Sequence, residues 1–375
     1  MIKKFLISAI LLIPVLFGCS DKFDINQLGS THGVGNTGGD TVYVHLNPDW
    51  SVAGGIPYNN PQAILMGHEP FIYICDTDNN RIVMLNTAGI FLYALDLTKF
   101  GITKPIAIAQ DYRLSLIVCA QTVIDAIPYS AVYKINLVDL NHNIGLADTN
   151  NGTLKRILPR AVDIDLHPNV KYSAVTAFFD NSYDVARTGT QNTSIYDPDN
   201  AILRFQYIDP HNDSFLATVH DIDPLSSGLI TANGINCMTS FSKRNLDFIA
   251  TYDKNVTNAT VFKAQWFLHF ESQITEGYQS AFSFSSGVAF VHPGRFGAPT
   301  GSCIDPSGNI YIADGDPGKD SVFKFSPYGD ELQSFGGLTW FSKPAGVAFF
   351  DRTLYVLDSQ KNMIRRFILS TDLSQ

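Results

Sequence analysis

Short apolar runs parted by turn-forming clusters recur along most of the chain, and Pro299 to Phe325 (PTGSCIDPSGNIYIADGDPGKDSVFKF) shows the pattern most fully. Runs at Gly301–Ile304, Ile310–Ala313 and Val322–Phe325 are separated by Asp305-Pro306-Ser307-Gly308-Asn309 and by Asp314-Gly315-Asp316-Pro317-Gly318. Proline presets a turn φ and glycine tolerates positive φ, so both separators predict tight turns between antiparallel strands. A fourth run, Glu331–Phe335, follows Pro327-Tyr328-Gly329-Asp330. The unit is a four-stranded antiparallel meander of roughly forty residues, a period typical of repeat architectures.

The same order of runs returns elsewhere. Lys343-Pro344-Ala345-Gly346-Val347-Ala348-Phe349 answers Ala298-Pro299-Thr300-Gly301-Ser302-Cys303-Ile304, and Leu354–Asp358 answers Ile310–Asp314. Met363–Phe367 answers Ser321–Phe325. Near the N-terminus, Ile72-Tyr73-Ile74-Cys75-Asp76-Thr77-Asp78-Asn79-Asn80-Arg81-Ile82 is the clearest copy. It resembles the NHL repeat, whose pattern runs Tyr-Val-Ala-Asp-x-x-Asn-x-Arg-Ile. The resemblance implies an all-β, six-bladed β-propeller of four-stranded antiparallel blades. Second strands placed by Cys75, Cys119, Ala177, Ala250, Ala313 and Leu357 give six units.

The last unit lacks a fourth strand, and Thr41–Leu46 (TVYVHL) is a spare one at the other end. Pairing the two closes the ring and removes two exposed sheet edges. The expected domain therefore spans residues 41–375 and is closed by an N-terminal strand in the last blade. In a propeller, the strand 2–3 loops and the connections between blades share one face. Long loops expected at Gln121–Tyr129, Asp180–Asn200, Asp221–Asn233 and Glu271–Ala298 all fall on that face. Short turns at Gln110–Arg113, His167–Val170 and Asp351–Thr353 fall on the other, where Leu140–Gly152 is the one longer strand 3–4 loop. Elaborated loops on a rigid scaffold are where binding usually resides.

Residues 1–18, MIKKFLISAILLIPVLFG, carry two lysines and an apolar run too short to span a bilayer. They predict a secretory signal peptide. Leu16-Phe17-Gly18-Cys19 resembles a bacterial lipobox, which implies cleavage before Cys19 and lipidation of its thiol. Cys19-Ser20-Asp21-Lys22-Phe23-Asp24 resembles the acidic export signals of Bacteroidetes surface lipoproteins. Residues 19–40 are rich in Gly, Ser, Thr and Asp and predict a flexible tether. The implied location is the outer membrane, lipid-anchored on its periplasmic side or at the cell surface. A net charge of −9 and the lack of any Lys/Arg cluster argue against nucleic acid.

Cys75, Cys119, Cys237 and Cys303 have no CxxC spacing and read as small buried hydrophobes, with a bridge between inner strands as the alternative. Asp76, Asp314 and Asp358 each end a second strand. A ring of catalytic carboxylates is one reading; the repeat favours turn-capping acceptors. Arg81 and Arg365 read as braces for neighbouring loops. Asp314-x-Asp316-x-x-x-Asp320 and Asp76-x-Asp78-x-Asn80 offer oxygens for calcium but lack the EF-hand glycine and glutamate. His68, His220 and His292 fall near inter-blade loops. NHL-like amidating lyases hold axial zinc with histidines, and six-bladed lactonases use a Glu, Asn and Asp set. Neither set is matched here, so no cofactor is predicted.

The candidate ligand face carries Tyr183, Arg187 and Tyr196 in one expected loop, and Tyr278, His292 and Arg295 in another. Aromatics and arginine in adaptable loops are typical contact residues. The expected function is that of an envelope binding scaffold for a protein, peptide or glycan. The alternative is an exported metal-dependent lyase or lactone hydrolase with an axial active site.

Overall fold

The computed structural model describes residues 42–189, 197–209, 212–219, 234–242, 245–252, 262–271, 276–282 and 287–372. Strand β1 (Tyr43–Trp50) leads into a two-residue ribbon, β2 (Val52–Ala53) and β3 (Ile56–Pro57). The first blade is β4 (Ala63–Met66), β5 (Phe71–Asp76), β6 (Arg81–Asn86) and β7 (Phe91–Asp96). The second is β8 (Ile102–Gln110), β9 (Ser115–Ile124), β10 (Ile127–Asn136) and β11 (Leu154–Leu158). After helix α1 (Ala161–Leu166) the third follows: β12 (Lys171–Ala177), β13 (Tyr183–Thr188), β14 (Ala201–Asp209) and β15 (Asn212–Val219). The fourth is β16 (Ile235–Ser240), β17 (Phe248–Tyr252), β18 (Ala264–Glu271) and β19 (Glu276–Ser280). The fifth is β20 (Pro299–Ile304), β21 (Ile310–Asp314), β22 (Ser321–Phe325) and β23 (Glu331–Gly336). The sixth contains β24 (Pro344–Phe350), β25 (Thr353–Asp358) and β26 (Met363–Leu369), with β1 as its outermost strand.

The ring therefore closes as the sequence predicts. Tyr43 pairs with Leu369, Val44 with Ile368, His45 with Phe367 and Leu46 with Arg366. The strand runs on to Trp50, and Thr41 lies outside the described residues. Each innermost strand touches the next around the circle, including β24 against β4. The result is a six-bladed β-propeller.

Apolar burial explains why the second strands read as unbroken hydrophobic runs. Both faces of each blade are covered by neighbours, so alternate residues enter different cores. In β5, Tyr73 and Cys75 face the second blade, whereas Ile72 and Ile74 face the sixth. In β21, Ile310 and Ile312 face the fourth blade, and Tyr311 and Ala313 the sixth. Six such cores, one between each pair of blades, hold the ring. The glycine of the repeat matters near the axis. A Cβ on Gly301 would lie 2.7 Å from the Gly346 Cα and 2.8 Å from the Ala345 carbonyl oxygen. Only glycine lets inner strands β20 and β24 approach so closely.

Three expected segments fold differently. Gln121–Tyr129 is not a loop. β9 and β10 extend through it as a hairpin whose tip, Asp125 and Ala126, has φ of 50° and 65°. Lys171–Ala177 is the first strand of its blade, so Ala177 is not on a second strand and His167–Val170 joins two blades on the long-loop face. The reason is local: Ala161–Leu166 alternates like a strand but forms a helix, because the Asp163 carboxylate accepts the Arg160 N–H at 2.8 Å in a capping box. Finally, Tyr183–Thr188 and Glu276–Ser280 are strands, so Asp180–Asn200 and Glu271–Ala298 are not continuous loops. Residues 140–152 do form the long strand 3–4 connection, with short 3-10 turns at Val138–Leu140 and Ile144–Leu146. The expected loop at Asp221–Asn233 lies outside the described residues.

Candidate functional site

The long-loop face is built on caps at the ends of second strands. Asp314 is fully buried; it accepts the N–H groups of Ala298 (2.7 Å), Gly297 (2.8 Å) and Asp316 (3.1 Å). Asp358 accepts those of Ser342 (2.8 Å), Lys343 (3.2 Å) and Lys361 (3.1 Å). Asp76 accepts the Asn59 N–H, the Asn79 side-chain amide and the Arg81 Nε–H. These carboxylates tie the loop entering each blade to its second strand as well as shaping the turn that follows. With their lone pairs occupied in this way, they are caps rather than reactive groups. Arg81 also donates to the carbonyls of Ala53 and Ile56, and Arg365 reaches Asp49 at 3.2 Å, so both act as braces.

Polar side chains of the inner strands link one blade to the next. Ser173 Oγ donates to the Ile235 carbonyl (2.5 Å), Asn236 Nδ2 to Pro299 (2.8 Å), and Thr300 Oγ1 to Pro344 (2.6 Å). Each occupies the register irregularity near the start of its strand and reaches the residue just before the next irregularity. Thr77, in the turn after the second strand of the first blade, links that blade to the next through the Pro105 carbonyl at 2.6 Å.

Inside this ring lies an axial cavity of about 560 Å³ lined by the inner strands of all six blades. Among the described residues, no Asp or Glu lines it. Its walls mix apolar side chains with hydroxyls, amides and thiols, including Thr239 bonded to Ser302 Oγ at 2.7 Å and Cys237 at 3.6 Å from the same oxygen. Burial raises the thiol pKa values of Cys237 and Cys303, keeping both sulfurs neutral and weakly nucleophilic. At the end away from the long loops, His68 stacks on Tyr112 at 4.0 Å and contacts the Gln110 carbonyl at 3.1 Å. Burial depresses the His68 pKa, so its ring is neutral at pH 7.

Among the described residues, the charged groups left in the lining are Lys171 and Lys343. The register irregularities, Tyr172/Ala174 and Pro344/Gly346, place them at equivalent positions at the starts of two inner strands. Their blades are the third and sixth, on opposite sides of the axis. Both side chains are exposed at the mouth on the long-loop face. Among the described residues neither ammonium has an ion-pair or hydrogen-bond partner.

The sequence-predicted contact residues lie elsewhere. Tyr183 is fully buried on β13 and donates to Asp213 at 3.1 Å; burial pushes its hydroxyl pKa far up. Arg187, also buried, bonds Asp197 (2.5 Å) and the Pro198 carbonyl (2.6 Å). Asp197 and Asp199 in turn hold His167 through its two ring nitrogens, at 2.9 and 2.7 Å. Burial would raise the Asp197 pKa, but its bonds from His167 and Arg187 outweigh that and lower it. Tyr278 is buried on β19 against Arg204, which forks onto Asp184 at 2.7 and 2.8 Å. Arg295 lies over Phe323 at 4.6 Å and pairs with Glu331, while His292 is exposed after the turn Ala289–Val291. None of these lines the axial cavity. Tyr196, His220 and Cys19 lie outside the described residues. Sequence reasoning missed Lys171 and Lys343; the available signal was a lysine at the start of two inner strands three blades apart.

Cys75, Cys119, Cys237 and Cys303 are free thiols. Among the described residues, no three His, Cys, Asp or Glu side chains come together as a metal-ligand group. Asp314 and Asp316 near Asp320, and Asp76 near Asp78, do not form one.

No protein-family model matches the chain, and no match was found among curated proteins. Solved structures share the fold. A Bacteroides thetaiotaomicron protein of unknown function is 12% identical, with a TM-score of 0.54 over 88% of this chain and 77% of its own. A candidate gluconolactonase is 12% identical, with a TM-score of 0.50 over 88% and 93%. Virginiamycin B lyase from Staphylococcus aureus is 11% identical, with a TM-score of 0.47 over 88% and 99%. At these identities the first two likenesses, with TM-scores of 0.54 and 0.50, support the propeller fold and nothing of the chemistry.

Proposed function

We propose that the protein is an NHL-like, lipid-anchored envelope protein that binds its ligand at the axial mouth on the long-loop face. Cys19 carries the anchor, and several acyl chains on one cysteine hold a protein to a bilayer firmly, where a single chain is marginal. One observation carries the reading: a cavity of ligand size with, among the described residues, two unpartnered lysines at its mouth and no carboxylate in its lining. Pockets of about 300–1,000 Å³ accommodate small ligands. A metal-dependent hydrolase or lyase needs clustered ligands and a general acid or base near the reacting atoms. The described lining has one histidine and two neutral thiols, a donor set that does not fit such a metal.

The proposed partner is a small molecule or the tip of a peptide or glycan that enters the mouth, rather than a surface grasped by Tyr183, Arg187 and Tyr278. Native mass spectrometry of protein released gently from membranes tests this. A stoichiometric bound species, with no turnover of lactones, is expected. Stoichiometric zinc or calcium together with lactone turnover overturns the reading in favour of the hydrolase. For the anchor, Cys19→Ala is expected to move the protein from the membrane to the soluble fraction.

A further inference from the structure

We propose that the axial mouth selects a small amphipathic anion, its carboxylate held between Lys171 and Lys343 and its apolar part inside the cavity. The inference rests on the mouth being the binding site and adds the ligand's chemical class.

Charge comes first. The chain carries a net −9, yet both cations of the cavity lining stand at one mouth, on opposite sides of the axis. No ion pair among the described residues quenches either. Of the nearby carboxylates, Asp314 and Asp358 are buried and already accept three backbone N–H groups each, while Asp316 and Asp320, which act on them electrostatically, lie outside the lining. A concave mouth whose described lining carries charge of one sign focuses field on an entering anion. Lysine is a point charge on a flexible stem, so two facing lysines can close on one head group.

The walls decide the remainder. Below the lysines, Ala107, Val175, Met238, Val347 and Ala348 line the cavity together with neutral hydroxyls and amides such as Thr176, Asn236 and Thr239. Its thiols and His68 are uncharged at pH 7. A second charge carried inward would lose its hydration without a partner, which is costly. The part of the ligand that enters is therefore uncharged, and burying its apolar surface against these side chains is favourable by roughly 25 cal/mol per Å². A bare inorganic anion uses only the mouth and forgoes that gain.

The test is equilibrium dialysis of the full-length protein in lipid nanodiscs, with empty nanodiscs as background. The probes are 4-phenylbutyrate, its neutral isostere 4-phenylbutanamide, and inorganic phosphate. Wild type is expected to bind the carboxylate about tenfold more tightly than the amide, the scale of two partly exposed charge pairs. Raising the salt should shrink that ratio. The exposed double variant Lys171→Gln/Lys343→Gln should lose the preference while its affinity for the amide stays within about twofold. Phosphate at equal concentration should not displace the carboxylate.

Equal binding of carboxylate and amide by wild type overturns the anion selectivity and leaves the axial binding site standing. Displacement by phosphate overturns the role of the apolar walls. Binding of neither organic probe overturns this inference, and no bound species in the native mass spectra would then remove the underlying reading as well. A double variant that keeps the full preference shows that other groups hold the anion and overturns the lysine assignment.

Discussion

The fifth blade and the third solve one problem with opposite charges. In the fifth, Asp314 at the end of the second strand gathers three backbone N–H groups and so fixes the incoming loop. In the third, Arg187 stands near the same end and donates to the Pro198 carbonyl and to Asp197, which with Asp199 holds His167 from the incoming connection. Further down, the fifth blade packs Phe323 and Phe325 against neighbouring aromatics. The third instead buries the Arg204–Asp184 pair against Tyr278. The comparison teaches that the repeat motif is one way of tying the long-loop face to the blades. Where the motif is missing, a buried ion network does the same work.

The largest effect is expected at that network. Arg204→Met leaves the fully buried Asp184 carboxylate without its cation. Removing one partner of a buried pair costs about 3–5 kcal/mol. Adding Asp184→Asn should recover much of it, as measured by urea midpoints of the single and double variants. No recovery would mean that Arg204 acts by packing alone.

Next come the two caps. Asp314→Ala strands three N–H donors and should cost about 2–4 kcal/mol, an estimate from the penalty for unsatisfied buried groups. Arg187→Met should cost a similar amount if the two residues share a task. Hydrogen exchange sharpens the comparison. Each variant should speed exchange mainly in its own incoming loop, around residues 297–298 or 167–170, and an unchanged loop breaks the equivalence.

The smallest effect has the opposite sign. Asp320 is 1% exposed, with neither carboxylate oxygen hydrogen-bonded. Burial, then the charges of Asp358, Asp316 and Asp314, push its pKa up to about 6. The folded chain then binds this proton more tightly than the unfolded chain. Stability falls as pH rises from the ordinary carboxylate range through about 6, and the penalty is fully present above that. Asp320→Asn should therefore stabilise by about 1–2 kcal/mol at pH 7 and remove that pH dependence. Its φ of 42° suits asparagine. Thermal melts at pH 5 and 7 check it; a lower midpoint for the variant at pH 7 would contradict the assignment.

The ring was legible because turns such as Asp305–Asn309 and doubly buried strands such as Phe71–Asp76 leave local signatures. Closure was legible from arithmetic, one strand short at one end and one spare at the other. The third blade was misread because Ala161–Leu166 has a strand-like alternation but forms a helix with an Arg160–Asp163 capping box at its start. The site was harder. Tyr183 and Arg187 resemble contact residues until their partners Asp213 and Asp197 are known, and those partners lie 30 and 10 residues away. Lys171 and Lys343 stand out only once the register irregularities align their strands and the ring sets them opposite each other.

A crystal structure of the protein with 4-phenylbutyrate tests the account most directly. The account predicts the carboxylate within about 4 Å of a Lys171 or Lys343 ammonium, ion-pair range, and the phenyl ring inside the axial cavity. An empty cavity, or a ligand seated among the outer loops near His292 and Arg295, would contradict it.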